Sequence, residues 1–114
     1  MKLVALTAIV AALAISTTAF GATPTLVGVD GPGFTITLTK GGKKVTKLTH
    51  GTYLFKISDK SGIHNFHLKG PGVDKKTSVG KSGTTTWTVT LKKGKYTYVC
   101  DPHASFMKGS FTVS

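Results

Sequence analysis

Alternation of threonine with large apolar residues is the feature of this sequence that most constrains its fold. The segments FTITLT and TTTWTVTL repeat with a period of two. That period is typical of β-strands with one buried face, so Phe34, Ile36 and Leu38 are expected to point into the core. Turn sequences rich in glycine and proline, such as DGPG, KGPG and GKSG, separate the strands at short intervals. The pattern predicts an all-β sandwich of seven or eight strands.

The beginning of the chain has a different character. Lys2 is followed by the uncharged run Leu3 to Ile15 and then by the small-residue segment STTAFGA. A basic start, a short apolar stretch and a small-residue exit are typical of a secretory signal peptide. We expect residues 1–21 to be removed by cleavage after Gly21, with Ala19 and Ala22 as near alternatives. The alternative is a retained membrane anchor, for which the uncharged stretch is at the lower limit of length.

Residues 22–114 suffice for one compact domain with a single core and are too few for two. The chain has 15 lysines and 4 aspartates, with no arginine or glutamate, and a net charge of +11. Nucleic-acid recognition usually relies on arginine and stacking aromatic residues on one face, and here the lysines are spread among strands and turns. We therefore expect no nucleic-acid partner, solvated outer faces for most lysines, and attraction of acidic proteins.

The only cysteine, Cys100, lies in the segment YVCDPHASFMKG with His103 and Met107. A single cysteine cannot form a disulfide within the chain. Considered alone, Cys100 would most often be a small buried hydrophobic residue. The alternatives are that its thiol forms an intermolecular disulfide, acts as a nucleophile or binds a metal ion. Pro102 disfavours a helical conformation at Asp101, so the segment is predicted to be a loop between two strands.

Two imidazoles and a thiolate with a weak axial methionine sulfur make up the blue-copper arrangement. Cys100, His103 and Met107 offer three of these ligands, and a second histidine is needed from elsewhere. The candidate segment is SGIHNFHLKGPG, which offers His64 and His67. On an extended strand, residues three apart point to opposite faces, so only one of the two should reach the site. Structural zinc sites normally use several cysteines and no methionine, which disfavours zinc.

Taken together, His64-Asn65, Tyr98-Val99-Cys100 and the Cys100 to His103 loop with its methionine resemble the cupredoxins of the plastocyanin and amicyanin type. The resemblance covers the whole mature domain and implies a Greek-key β-sandwich that binds one copper ion. It implies three strong equatorial ligands and one axial ligand, with Asn65 joining the histidine segment to the cysteine loop and His67 not a ligand. The implied metal ligands are His64, Cys100, His103 and Met107.

The loop from His103 to Met107 is intermediate in length between plastocyanin-like and amicyanin-like loops, so the resemblance leaves the copper–Met107 distance open. The remaining histidine, His50, lies beside a turn and is expected at the surface or partly buried. In the family, the loop histidine reaches the surface inside an apolar docking patch, which here implies His103 with Ala104 and Phe106 beside it.

The resemblance implies a monomeric carrier of single electrons that cycles between Cu(I) and Cu(II) and exchanges electrons with acidic redox partners. It also implies a periplasmic or secreted protein that does not stay inserted in the membrane after cleavage. The alternative is a protein that stores or delivers copper. An enzymatic role is not expected. A nucleophilic Cys100–His103 pair would have only Asp101 to orient it, and multicopper chemistry needs more histidines than the four present.

Overall fold

A computed structural model describes residues 21–114, which form a sandwich of two five-stranded sheets. The predicted signal peptide therefore lies almost entirely outside the described residues. Ten strands follow one another along the chain: β1 (Thr25–Asp30), β2 (Ile36–Lys40), β3 (Lys43–Lys44), β4 (Lys47–Leu48), β5 (Gly51–Asp59), β6 (His67–Gly70), β7 (Val73–Lys76), β8 (Gly83–Leu91), β9 (Gly94–Val99) and β10 (Lys108–Val113).

The strand order is β3-β2-β1-β5-β8 in one sheet and β4-β10-β9-β6-β7 in the other. Most neighbours are antiparallel, but β1 runs parallel to β5 and β10 runs parallel to β4. The predicted all-β sandwich is confirmed. Two of the ten strands, β3 and β4, have only two residues each, and the remaining eight match the expected number. Over residues 21–114, no helix combines the length and the apolar character needed to span a bilayer.

The core consists of the inward-facing residues of both sheets. On β9, Tyr96 and Tyr98 are fully buried and stack on Phe111 and Phe66, respectively, with ring centroids 5.3 and 5.5 Å apart. A side chain at Gly109 would overlap the Tyr98 ring, so only glycine permits this packing of β10 on β9. Other large buried residues are Leu26, Leu38, Phe55, Ile57, Leu68 and Leu91.

The alternation in FTITLT predicted one residue wrongly. Leu38 is buried and Ile36 packs against the core, but Phe34 is 59% exposed. The reason is that β2 begins only at Ile36, so Phe34 belongs to the preceding turn and is free to point elsewhere.

Strand directions define two ends of the sandwich. At one end, β1 and β5 finish in the register pair Asp30 and Asp59, and β9 finishes at Val99, just before the cysteine loop. We call this the loop end. The β2–β3 turn and the β8–β9 turn lie at the opposite end.

Candidate metal centre

Cys100 and Met107 close a tight loop at the loop end of the second sheet. A short 3₁₀-helix, Asp101–His103, follows Cys100, and Pro102 lies within its first turn. The Cys100 N–H donates to the Met107 carbonyl at 3.0 Å, and the Met107 N–H donates to the His103 carbonyl at 2.9 Å. These backbone hydrogen bonds hold three side chains of the segment YVCDPHASFMKG close together.

His64 approaches the same loop from the other direction. It lies in the connection between β5 and β6 and not on a strand, so the opposite-face argument that compared it with His67 does not apply. Its side chain is fully buried. Gly31 lies beside it with φ +73°, and a Cβ there would be 3.1 Å from His64 Cδ2. The backbone of this turn can therefore approach the imidazole closely because residue 31 is glycine.

The three strong donors that the sequence suggested form a small triangle. His64 Nδ1 is 3.2 Å from His103 Nδ1 and 3.6 Å from Cys100 Sγ, and Cys100 Sγ is 3.5 Å from His103 Nδ1. All three atoms therefore lie about 2 Å from a common centre, close to the ~2.0–2.3 Å typical of metal bonds to imidazole and thiolate. Among the described residues, this is the group of histidine, cysteine and acidic side chains that could hold a metal ion.

The donor set also fits copper chemically. One thiolate and two imidazoles suit a copper ion in either oxidation state, and a nearby thioether is the usual weak axial donor. Met107 is 1% exposed, and its backbone is hydrogen-bonded to both Cys100 and His103. The structure thus brings Met107 into the loop that carries the other donors, while its role as axial ligand stays a prediction.

Asn65 connects the histidine segment to the cysteine loop. Its Oδ1 accepts a hydrogen bond from the Asp101 N–H at 2.7 Å, and its Nδ2 donates to Asp101 Oδ2 at 2.8 Å. Nδ2 also donates to the Thr77 carbonyl at 3.3 Å. Because His64 and Cys100 are the immediate neighbours of this pair, the side chain of Asn65 fixes the separation of two corners of the triangle.

His67 is engaged elsewhere. Its Nδ1 lies 2.8 and 3.0 Å from the two carboxylate oxygens of Asp101, and its Nε2 lies 2.5 Å from Asp74 Oδ1. Each ring nitrogen faces a carboxylate, so both are engaged outside the donor triangle. His50 also lies apart from the triangle, at the surface, with Nδ1 3.0 Å from the Ser114 carbonyl.

These contacts shift the pKa values of both carboxyl groups. For Asp101, partial burial acts to raise the pKa, but hydrogen bonds from Asn65 and His67 outweigh it and hold the pKa below its usual range. The hydrogen bond with His67 likewise lowers the pKa of Asp74. The link between Asp101 and Asp74 was not predicted from the sequence, because it depends on the pairing of β6 with β7.

An aromatic side chain that the sequence assigned to the core instead covers the candidate site. The ring centroid of Phe34 is 5.0 Å from that of His103 and 5.4 Å from that of His64, both edge to face. Phe106 lies 5.6 Å from His103 and 6.0 Å from Phe34. His103 is partly exposed, whereas Phe34, Phe106 and neighbouring Ile63 are each more than half exposed. The imidazole of His103 thus reaches solvent inside an apolar surface, as the family resemblance implied.

Several solved structures share this fold. Reduced rusticyanin aligns with a TM-score of 0.62 at 22% sequence identity, over 82% of this chain and 81% of the other. Rusticyanin from Thiobacillus ferrooxidans aligns with a TM-score of 0.57 at 26% identity, over 82% and 79% of the chains. Dithionite-reduced auracyanin from Roseiflexus castenholzii aligns with a TM-score of 0.57 at 22% identity, over 82% and 99% of the chains.

No curated protein sequence matches the chain. A family model described as copper binding proteins, plastocyanin/azurin family, matches residues 33–114. That match includes every residue of the donor triangle, Met107 and Asn65, and it agrees with both the sandwich fold and the donor chemistry of the loop end. The chain therefore belongs to the plastocyanin/azurin family of copper-binding proteins, the cupredoxins.

Proposed function

We propose that this protein is an exported small blue copper protein that carries single electrons between redox partners. The observation that carries the proposal is the convergence of His64 Nδ1, Cys100 Sγ and His103 Nδ1, all within 3.6 Å of one another, at one end of a β-sandwich. In this proposal those three residues and Met107 would hold the copper ion. When bound, copper supplies a one-electron couple whose potential depends on its ligands and their surroundings.

The protein contributes a site whose donor atoms move little when the charge of the copper ion changes. His64 is fully buried and bordered by Gly31, and Cys100 is held through backbone hydrogen bonds to Met107. Asn65 joins the two segments through Asp101. Because these contacts fix the donor atoms independently of the metal's oxidation state, little rearrangement is needed for each electron transferred.

The exposed edge of His103 is the proposed route for electrons. It lies between Phe34 and Phe106, so a partner that packs on these rings comes close to a donor atom without disturbing the buried ligands. Lys60, whose N–H donates to the Asp30 carbonyl at 2.9 Å, and Lys108, directly after Met107, are exposed at the same end. We propose that they guide acidic redox partners to the apolar surface of a monomeric carrier.

The export part of the proposal rests on residues 1–21, whose sequence is typical of a cleaved secretory signal. It places the protein in the periplasm or outside the cell, without stable membrane insertion after cleavage. Mass spectrometry of the protein isolated from its producing cells tests this: cleavage after Gly21 gives a chain that begins at Ala22. An intact N-terminus would contradict it.

The decisive experiment adds one equivalent of Cu(II) to the protein and records the visible absorption and EPR spectra. An intense thiolate-to-copper band with narrow copper hyperfine splitting is expected, together with a reversible one-electron wave in voltammetry. Cys100→Ala should abolish the band, and His50→Ala, which removes a histidine remote from the triangle, should leave it unchanged. An ordinary tetragonal copper spectrum that survives Cys100→Ala would overturn the proposed site.

Storage or delivery of copper uses the same ligands and is distinguished by the redox behaviour of the loaded protein. An electron carrier exchanges electrons rapidly between its oxidised and reduced forms and retains the metal. A delivery protein would hold one oxidation state and release copper to an acceptor. Rapid self-exchange measured by NMR line broadening, with copper retained against a chelator, supports the carrier; slow exchange with metal transfer would support delivery. The proposed carrier catalyses no reaction on a substrate of its own.

A further inference from the structure

The lysines are not evenly distributed over the folded domain, although they look dispersed along the sequence. Seven of them collect at the end opposite the candidate metal centre, in and beside the β2–β3 turn, β4 and the β8–β9 turn, and all are exposed. We call this group the lysine cap: Lys40, Lys43, Lys44, Lys47, Lys92, Lys93 and Lys95.

Among the described residues, one carboxylate side chain borders the lysine cap: Asp74 lines a cleft with Lys92 and also contacts His67. Asp30, Asp59 and Asp101 lie at the loop end. Four of the cap lysines line an open cleft of about 450 Å³ together with Thr46, Thr49 and the terminal Ser114. The cap is therefore a concentrated positive surface with room for small anionic groups between its side chains.

From this arrangement we propose that the lysine cap is a docking surface for anionic phospholipid headgroups, which holds the domain on a membrane surface with the candidate metal centre facing away. Lysine is a compact point charge suited to diffuse phosphate charge, and each lysine near an anionic bilayer contributes ~1 kcal/mol of attraction. The inference goes beyond electron transfer and does not depend on copper.

The composition of the cap disfavours other anionic partners. Stable protein interfaces have a buried apolar or aromatic centre, and nucleic-acid binding uses arginine or stacking rings. The large exposed hydrophobic residues of the described chain are Phe34, Ile63, Val79 and Phe106, none of which belongs to the cap segments. The apolar side chains of the cleft, such as Val45 and Leu48, are buried in the core.

The position of the first strand also supports an orientation in which the lysine cap faces the membrane. Strand β1 begins at Thr25 and pairs antiparallel with β2 from Val27–Thr39 to Asp30–Ile36, which places its first residue beside the β2–β3 turn. The residues before Thr25, which include the uncharged run Leu3 to Ile15, are therefore attached at the lysine end. A retained run would therefore hold the lysine-cap side of the domain next to the membrane.

The test measures co-sedimentation of the protein, as isolated from its producing cells, with phosphatidylcholine vesicles that contain or lack about one third phosphatidylglycerol. The readout is the increase in partitioning caused by phosphatidylglycerol, because insertion of a retained apolar segment would not need the anionic lipid. A cap variant carries Lys43→Gln, Lys44→Gln, Lys93→Gln and Lys95→Gln. The matched control carries Lys56→Gln, Lys60→Gln, Lys69→Gln and Lys108→Gln, which removes the same charge elsewhere.

We expect the phosphatidylglycerol-dependent partitioning to fall by more than about 100-fold in the cap variant, since ~1 kcal/mol per lysine corresponds to about fivefold each. The control should lose less than about tenfold, and raising the salt from about 0.1 M to 1 M should abolish the effect. Equal losses in the two variants, no dependence on phosphatidylglycerol, or binding to polyglutamate without binding to vesicles would each overturn the proposal. The salt titration uses the unaltered chain and needs no variant to fold.

Discussion

The side chain of Asn65 and residue Asp101 exchange two hydrogen bonds, one with the backbone N–H of Asp101 at 2.7 Å and one with its carboxylate at 2.8 Å. The two residues are 36 positions apart in the chain, and each follows a member of the donor triangle directly. The pair thus sets the distance between His64 and Cys100 before any metal binds. Asn65 is 1% exposed, so water cannot readily replace what its side chain provides.

Removing this connection should weaken both the fold and the metal site. We expect Asn65→Ala to lower the free energy of unfolding by about 1–3 kcal/mol, because the Asp101 N–H loses the acceptor that the buried Asn65 side chain provides. Copper affinity should fall by about 10- to 100-fold, as is typical when a group that orients metal ligands is lost. Denaturant unfolding and competition titration against a chelator measure the two effects. The surface variant His50→Ala should change neither, and an unaltered copper affinity in Asn65→Ala would contradict the orienting role.

His67 extends the same connection to β7. It contacts Asp101 with one ring nitrogen and Asp74 with the other, so it joins the cysteine loop to the edge of its sheet. His67→Gln can keep only part of these contacts and should lower the unfolding free energy by about 1–2 kcal/mol. The blue absorption band should persist, since the ring lies outside the donor triangle. The same substitution at exposed His50 is the matched control; loss of the band in His67→Gln alone would identify His67 as a ligand.

Asp30 gives the domain an unusual dependence on pH. It is fully buried beside Asp59, and burial, followed by the neighbouring carboxyl group, raises its pKa from 3.8 to about 8. The folded state therefore binds this proton more tightly than the unfolded chain. The stabilising contribution of the protonated group is fully present below pH 3.8 and is lost as the pH rises toward 8, at up to ~1.4 kcal/mol per pH unit.

Asp30→Asn should remove that dependence. The stability of the variant relative to the unaltered protein is expected to increase steadily between pH 4 and pH 8, because asparagine cannot ionise. Urea unfolding of both metal-free proteins across this range measures the difference and cancels the titration of the histidines. A constant difference between Asp30→Asn and the unaltered protein would show that Asp30 does not titrate there.

Phe34 shields the two imidazoles of the site from water. Its ring packs edge to face on both His64 and His103. We expect Phe34→Ala to accelerate removal of copper by a chelator about tenfold, with little effect on the free energy of unfolding because the side chain is mostly exposed. Val79→Ala, another exposed apolar residue, should leave the removal rate unchanged. An equal rate in the two variants would rule out the shielding role.

Local sequence patterns predicted the sheets and the donor loop because both depend on short-range rules. Threonine alternation predicted the buried face of β8, and the close spacing of Cys100, His103 and Met107 predicted that they share a loop. Phe34 was misassigned because the alternation continues into a turn before β2 begins. Its position over the histidines depends on how the turn after β1 folds onto the β5–β6 connection, which no local pattern encodes.

The polar contacts around the site and the positions of the charges could not be predicted from the sequence either, because both depend on how distant segments pair in the fold. The link from Asp101 through His67 to Asp74 requires β6 to pair with both β7 and β9. The lysine cap likewise requires two turns that are far apart in the sequence to meet at one end of the sandwich. The sequence shows how many charges there are, whereas the strand order determines where they lie.

Met107 provides the sharpest test of the site's composition. Its side chain is buried within the loop, and replacing it by leucine conserves volume at a cost of less than ~1.5 kcal/mol. Loss of a donor destabilises Cu(II), which has the higher charge, more than Cu(I). Met107→Leu should therefore raise the reduction potential while the thiolate band, which depends on Cys100, remains intense. Leu26→Met, which adds a thioether to the core near the opposite end, is the matched control and should leave the potential unchanged. A potential that does not move in Met107→Leu would mean that the methionine sulfur is not an axial ligand, and the intermediate length of the His103–Met107 loop would then be the structural reason.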